Sequence, residues 1–238
     1  EAAAVNTVSP GEEVVVITVG AFGDYFVSIC EKNGFKVHKL EKSWGEACTE
    51  EDLIQFLRPL TNIKAVFATY NETSTGILNP VDKLAKVVRD HTDALFIVDG
   101  VSCLGGAPAE MDQWGIDILV TGSQKAMMLP PGLSLLSVSD RAWKGIEETT
   151  KPAYYLDFLS YREWAAKGMT PNTPAISLIM GLCAVCDLIE EEGGFAQTVA
   201  RHELMKNMVR EAMGALSIGL LTSDEFASPT ITAIRAPE

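Results

Sequence analysis

Two apolar runs of strand length, each followed at once by a reactive side chain, constrain this 238-residue chain more than any other feature. LFIV at 95–98 leads into Asp99, and DILVTG at 117–122 leads into SQK, which ends at Lys125. Ligands of open α/β sheets bind just beyond the carboxyl ends of the strands, so we expect these two ends to converge on one crevice. A lysine can form a Schiff base with an aldehyde cofactor, and an aspartate can pair with a pyridinium nitrogen. The pair therefore indicates a pyridoxal phosphate site, although strand-terminal Asp and Lys residues also cap helices or face solvent.

Apolar runs of strand length alternate with helical patterns along the first part of the chain. VVVITV at 14–19 is a continuous β-branched run, which is typical of a parallel strand buried on both faces. Further strands are predicted at 36–40, 64–70, 95–99, 117–122 and 133–139, and helices at 20–34, 49–59, 80–91, 140–150, 154–168, 174–192 and 195–216. This alternation predicts an α/β fold with a doubly wound, mostly parallel sheet flanked by helices. We assign 1–216 to a large domain and 217–238 to the start of a smaller one, in which ITAIRAPE is expected to be a strand.

Composition excludes several kinds of partner. The net charge of −13 and a pI near 4.7, without a cluster of Lys or Arg, argue against binding to nucleic acid or to an anionic membrane surface. The longest apolar segment, 178–186, is far shorter than the roughly 20 residues that span a bilayer, and we expect no signal peptide from the sequence given. Five cysteines form no disulfide framework. We therefore expect a soluble protein of the cytoplasm, without nucleic acid or membrane partners.

No metal site is predicted from the cysteines and histidines. Cys183 and Cys186 form a CxxC inside the apolar helical pattern ISLIMGLCAVCDLI, with no second CxxC or nearby histidine. This context favours core packing over a zinc or redox site. His38, His91 and His202 follow no metal-ligand spacing and are predicted to be structural or solvated, away from the crevice.

The sequence motifs around the two strand ends resemble those of one family. VDGVSCLGG, then MDQWGID, then TGSQKAMMLPPG closely resemble the class V aminotransferases of fold type I, in particular the alanine–glyoxylate and serine–pyruvate aminotransferase branch. The resemblance extends from Glu1 to about Pro237 and is densest in the central third. It implies the large domain of a fold type I transferase, pyridoxal 5'-phosphate as cofactor, and a homodimer with a shared active site.

The resemblance assigns the two central roles. The lysine that matches Lys125 bonds to the cofactor and then shuttles the substrate proton. Its place between an apolar strand and AMMLPPG predicts burial, which would supply a neutral amine. The aspartate that matches Asp99 pairs with the pyridine nitrogen, and Val101 would lie against the ring.

The resemblance also implies a set of further cofactor contacts. Phe22, in the GAFG turn, matches an aromatic that stacks on the ring, although core packing is an alternative. Thr73 in NETSTG matches a residue that hydrogen-bonds the ring substituents, although a plain Ser/Thr-rich turn is an alternative. Gln124 resembles a phosphate contact. Thr173 in MTPNTPAIS, or Asn172 in the adjacent register, matches a threonine that reaches the phosphate of the neighbouring subunit.

The function that this resemblance implies is transfer of an amino group from alanine or serine to glyoxylate or pyruvate. A fold type I lyase such as a cysteine desulfurase is an alternative, but its lysine normally follows a histidine and not Gln124. A non-catalytic subunit that keeps the fold is a third possibility, and Asp99 with Lys125 argue against it. The glycine-rich phosphate loop and the arginine for the substrate carboxylate are expected outside 1–238, so we expect the chain to be an inactive part of a longer enzyme.

Overall fold

The computed structural model describes residues 1–149 and 153–236. Thr150, where the predicted helix 140–150 ends, lies outside the described residues, and so do Pro237 and Glu238, where the predicted strand ITAIRAPE ends. The strands are β1 (Glu13–Thr18), β2 (Lys36–Glu41), β3 (Ile63–Thr69), β4 (Asn71–Glu72), β5 (Ile77–Leu78), β6 (Leu95–Asp99), β7 (Ile118–Gly122) and β8 (Ser134–Val138). The helices are α1 (Ala2–Thr7), α2 (Ala21–Lys32), α3 (Glu50–Leu57), α4 (Val81–His91), α5 (Met111–Trp114), α6 (Asp140–Glu148), α7 (Phe158–Ala166), α8 (Ile176–Glu191) and α9 (Phe195–Ala215), with a 3-10 turn at Asp224–Phe226.

The main sheet has the strand order β2-β1-β3-β6-β7-β8. Its first five strands run parallel, and β8 pairs with β7 in the antiparallel direction. The small β4-β5 hairpin stands apart from it. The predicted doubly wound, mostly parallel α/β fold is therefore confirmed.

Apolar cores lie on both faces of this sheet, which explains the apolar runs of its central strands. In β1, Val15 and Ile17 belong to one buried cluster while Val14 and Val16 belong to the other. Successive side chains of a strand point to opposite faces, so a strand covered on both sides needs apolar residues at every position. The helices supply the cover, with α4 in the first core and α2 in the second.

The segment after α9 packs on the carboxyl edge of the sheet. Thr222 Oγ1 donates to Thr75 O at 2.6 Å. The strand expected at the end of the chain is wrong for the described residues, because within 231–236 only Ile234 pairs, in a single antiparallel bridge with Leu220. A single pair is too short to make a stable two-stranded ribbon. The division into domains at 216 and 217 stays a prediction.

Helix α8 is apolar on more of its surface than it buries. Val185 and Ile189 pack with Met127 in a small buried cluster. Cys183 and Cys186, however, are exposed, so the predicted core packing of the CxxC is wrong. They lie on an exposed stripe of α8 that also contains Ile176, Ile179 and Met180. The helical pattern was apolar all round, and sequence alone does not tell which face finds a partner within the chain.

Among the described residues, no helix combines the length and the apolar character needed to cross a membrane.

Candidate active site

Asp99 and the turn that carries Lys125 follow neighbouring parallel strands. Asp99 is the last residue of β6, and its register partner on β7 is Val120. Gly100 N donates to Val120 O at 2.8 Å. Tyr70 N donates to Asp99 O, also at 2.8 Å. The backbone of Asp99 is thereby held from both sides, and the structure places Asp99 and Lys125 at the same edge of the sheet.

The Asp99 carboxylate has one oxygen in use and one available. Oδ1 accepts the N–H of Val101 at 2.8 Å, while within residues 1–149 and 153–236 Oδ2 has no hydrogen-bond partner. Burial raises the pKa of Asp99, and the charge of Glu72 adds to the rise, whereas the Val101 N–H opposes it. A cationic group placed against Oδ2 would stabilise the charged carboxylate.

Lys125 lies on a loop that Ser123 closes. The Ser123 side chain is fully buried. Its hydroxyl donates to Pro130 O at 2.7 Å and accepts from Leu133 N at 3.2 Å. Met128 N donates to Lys125 O at 2.9 Å, and Met128 takes a left-handed φ of 56° to complete the turn. These contacts fix the backbone from which the lysine side chain extends.

The expected burial of Lys125 is wrong, because the residue is exposed, as is Gln124. The turn carries both residues past the end of β7, where Lys125 faces an open cavity and not the core. Strand-like apolar residues before a lysine predict where its backbone lies, but they do not predict what covers its side chain.

Phe22 and Thr73 are brought together although they are far apart in the chain. Phe22 lies in the first turn of α2 and is 38% exposed, with its ring 5.4 Å from that of Tyr25 in an edge-on arrangement. The Phe22 N–H donates to Glu72 Oε2 at 3.0 Å, and Thr73 is the next residue. The exposure excludes the alternative that Phe22 is a core residue, and it leaves the ring available to a ligand.

A cavity of about 700 Å³ opens between the carboxyl edge of the sheet and α9. Its lining on the sheet side includes Thr73, Ser102 and Lys125. Five other residues were assigned to the cofactor from the sequence. Within the described parts of the chain they do not line the cavity, and they are Phe22, Asp99, Val101, Gln124 and Thr173.

His202 contradicts the prediction that all three histidines lie away from the crevice. It lines the cavity from α9, and its Nδ1 lies 2.7 Å from Thr198 O. Its ring also limits Gly106, where an added Cβ would come within 3.0 Å of His202 Cδ2. Sequence analysis missed this placement because no local pattern shows that α9 folds back over the sheet edge.

Ser102 is a second cavity residue that sequence analysis missed. Asn71 Nδ2 donates to Ser102 Oγ at 2.7 Å, and Thr230 Oγ1 donates to Ser102 O at 2.7 Å. Ser102, in the loop after β6, therefore joins strand β4 to the segment after α9. Its position three residues after Asp99 was the available signal.

Thr173 is exposed in the segment between α7 and α8, and so is Asn172. Thr173 lies three residues before Ile176, the first residue of the exposed apolar stripe of α8. The single chain does not bring Thr173 to the cavity lining found among the described residues.

A mostly parallel sheet with an aspartate and a lysine at neighbouring strand ends defines a fold type I pyridoxal-phosphate-dependent transferase. The family model for class-V aminotransferases matches residues 1–235. The chain belongs to the class-V aminotransferase family, as the resemblance predicted, and members of this family use pyridoxal phosphate.

Similar proteins of known sequence or structure cover the whole chain. The "Soluble hydrogenase 42 kDa subunit" of Anabaena cylindrica is 39% identical over 239 residues, which are 62% of its length. The L-aspartate–glyoxylate aminotransferase of Paracoccus denitrificans is 36% identical, with 61% of its length covered. The crystal structure of an alanine–glyoxylate aminotransferase from Nostoc sp. superposes with a TM-score of 0.93 at 29% identity, over all of this chain and 63% of that one. The chain thus spans about 62% of the length of the curated relatives it matches.

The residues present fit the cofactor of this family. The available Oδ2 of Asp99 suits a protonated ring nitrogen, and burial makes such a cation favourable there. The exposed amine of Lys125 suits an aldehyde, and the exposed ring of Phe22 suits an aromatic face.

Proposed function

We propose that the protein is a pyridoxal-phosphate-dependent aminotransferase that moves an amino group from a small amino acid such as alanine or serine to a 2-oxo acid such as glyoxylate or pyruvate. One observation carries the proposal: Asp99 and Lys125 stand at the ends of neighbouring parallel strands, with Lys125 on the wall of a cavity of about 700 Å³. When bound, the cofactor supplies a pyridinium ring that accepts electrons from the substrate Cα.

Asp99 serves this chemistry by holding a negative charge at a fixed place. Its Oδ1 is oriented by the Val101 N–H, which leaves Oδ2 for the ring nitrogen. A preorganised charge of this kind stabilises the electron-rich transition state more than the ground state. Val101 follows in the same turn and provides an apolar contact for the ring.

Lys125 is the residue that attaches the cofactor and moves the proton. Its Nζ would accept the proton that leaves the substrate Cα. It would then donate that proton to the carbon at which the half-reaction is completed. The hydrogen bonds of Ser123 hold the loop and with it the backbone of Lys125. The exposed lysine side chain can then reach both the cofactor and the substrate. Gln124, exposed beside it, is proposed as a donor to the phosphate.

Phe22 and Thr73 are proposed to hold the ring between an aromatic face and a hydroxyl group. Their common connection to Glu72 supports a joint role. Thr73 also lines the cavity that Lys125 faces.

We also propose a homodimer in which Thr173 reaches the phosphate of the partner subunit. The exposed apolar stripe of α8 supports this proposal, since contiguous apolar patches mark protein interfaces. The proximity of Thr173 to Ile176 would place it beside such an interface. The five free cysteines support a reducing compartment such as the cytoplasm.

A non-catalytic subunit that keeps the fold is the second candidate, and the Anabaena relative bears on it because its name is that of a hydrogenase subunit and mentions no amino-group transfer. The two functions make opposite predictions for Lys125. A catalytic protein retains pyridoxal phosphate on Lys125 and passes amino groups, whereas a scaffold does neither.

Reductive trapping with borohydride, followed by peptide mass mapping, tests the proposal. The protein loaded with pyridoxal phosphate should carry the pyridoxyl group on Lys125. Lys125→Ala should carry none, and Lys64→Ala, which changes a lysine away from the crevice, is the control and should label like the wild type. Absorbance titration of the full-length protein with alanine, serine and aspartate then identifies the amino donor. A pyridoxyl group on another lysine, or no response to any amino acid, would count against an aminotransferase.

A further inference from the structure

Glu72 is a fully buried carboxylate at the edge of the crevice. Its Oε2 accepts the N–H groups of Phe22 at 3.0 Å and Gly23 at 3.1 Å. Its Oε1 accepts the N–H of Ser74 at 3.0 Å and the hydroxyl of Ser74 at 2.7 Å. A charge removed from water needs such compensation, and here four donors supply it.

These hydrogen bonds cap helix α2 from another part of the chain. The N-cap residue of α2 is Gly20, which has no side chain to accept the free N–H groups of the first turn. Ser74 Oγ accepts from Ala21 N at 3.0 Å, and Glu72 accepts from the next two N–H groups. The negative charge also suits the positive end of the helix dipole.

The approach of the two segments is close at Gly20. A Cβ at this position would lie 2.4 Å from Ser74 Oγ and 2.6 Å from Glu72 Cγ. Only a residue without a side chain fits there. The turn that carries Phe22 and the loop that carries Thr73 are therefore held in one arrangement.

We propose that Glu72 is a positioning residue that fixes the Phe22 ring relative to the Thr73 hydroxyl and so sets the binding face for the cofactor. The inference rests on the proposed function, since Phe22 and Thr73 act on the cofactor only if the protein binds it. Glu72 itself makes its contacts with backbone N–H groups and Ser74, and it acts through the residues on either side of it.

Two substitutions separate the geometry of this cap from its charge. In Glu72→Gln the single amide oxygen can still accept hydrogen bonds on one side. The NH2 group on the other side can only donate, so it cannot accept from the N–H groups there, and that half of the cap is lost. Ser74→Ala removes one donor to Glu72 and the acceptor for Ala21 while it keeps the carboxylate. Asp52→Asn is the matched control, because Asp52 caps α3 in a capping box with Thr49 on a different helix.

The first measurement is amide hydrogen exchange of the 21–23 segment in the cofactor-free protein, followed by pyridoxal phosphate titration. Glu72→Gln should speed exchange at 21–23 and weaken cofactor binding by about tenfold to a hundredfold, the worth of a lost charge-assisted hydrogen bond. Ser74→Ala should act in the same direction to a smaller extent. Asp52→Asn should leave both quantities at the wild-type level.

A double-mutant cycle with Phe22 completes the test. If Glu72 acts through Phe22, then Glu72→Gln adds much less to the loss of cofactor affinity in a Phe22→Ala background than in the wild type. Additive losses would overturn the inference, and so would faster exchange with unchanged affinity. If Glu72→Gln does not fold, Ser74→Ala is the variant that tests the inference. Wild-type affinity of Ser74→Ala for pyridoxal phosphate would then contradict it. A wild-type protein that binds no pyridoxal phosphate would instead overturn the proposed function, while the exchange data would still report on the cap.

Discussion

Ser123 Oγ donates a 2.7 Å hydrogen bond to Pro130 O and thereby ties the beginning of the Lys125 loop to its end. The same hydroxyl accepts from Leu133 N. Ser123→Ala leaves the Pro130 carbonyl and the Leu133 N–H without this partner, which should cost about 1 kcal/mol of unfolding free energy. Because the loop carries Lys125, kcat should also fall by about tenfold or more through misplacement of the amine.

Denaturant unfolding and steady-state kinetics measure the two effects of Ser123→Ala. The control is Ser139→Ala, which removes the N-cap hydroxyl of α6 and should cost about 1 kcal/mol with unchanged kcat. Equal kcat in both variants would show that the Ser123 contact does not position Lys125.

Asp99→Asn should stabilise the cofactor-free protein while it removes activity. Burial holds the folded-state pKa of Asp99 above the unfolded value, so the stability linked to its protonation is complete below the unfolded pKa and is lost as the pH rises through the folded pKa. At neutral pH the wild type therefore holds an unfavourable charge, which asparagine lacks while its oxygen can still accept from Val101 N. The Tm of the variant should exceed that of the wild type at neutral pH, and the gap should shrink toward about pH 4.

Turnover by Asp99→Asn should fall by about a hundredfold or more, because the charge matters mainly in the transition state. Thermal melts across pH and single-turnover kinetics provide the two readouts. Near wild-type kcat with full cofactor occupancy would refute the role of Asp99 at the ring nitrogen.

The sequence predicted what depends on local pattern. Short apolar runs between Gly, Pro and polar turns located the strands of the main sheet, and the parallel order placed Asp99 and Lys125 at one edge. It did not predict the exposure of Lys125 or the position of His202 at the cavity. Both depend on how α9 and the segment after it cross the sheet edge, which no periodicity encodes. Burial of Cys183 failed for a related reason, since an apolar helix face shows a need for cover and not the source of the cover.

An ion pair between the buried Asp117 and the partly exposed Arg141, at the opposite end of β7, gives a stability prediction that is independent of cofactor. The Asp117 carboxylate is fully buried and accepts from Arg141 Nη1 at 2.7 Å and from Phe96 N at 2.9 Å. Arg141→Ala removes the principal counter-charge and should cost about 2 kcal/mol or more, measured by urea unfolding. Lys86→Ala, which breaks an exposed pair with Asp90, should change little. Similar losses in both variants would show that burial of Asp117 does not matter.

Thiol labelling tests the exposed stripe of α8 and the proposed dimer together. In a dilute, monomeric sample at neutral pH, maleimide should modify Cys183 and Cys186, which are exposed, and spare the three buried thiols. Burial raises the pKa of Cys30 and of Cys48 to about 12 and raises that of Cys103 as well, so these thiols stay protonated in addition to being covered.

As the protein is concentrated and dimers form, labelling of Cys183 and Cys186 should slow, because the stripe with Ile176 and Met180 becomes covered. Mass mapping of labelled peptides, with oligomeric state followed by light scattering, measures both quantities. Cys183→Ala combined with Cys186→Ala should abolish labelling and change the stability of the monomer little, as expected for exposed side chains. Labelling at equal rates in monomer and dimer would place the subunit interface elsewhere on the chain, and with it the route by which Thr173 could reach a partner's phosphate site.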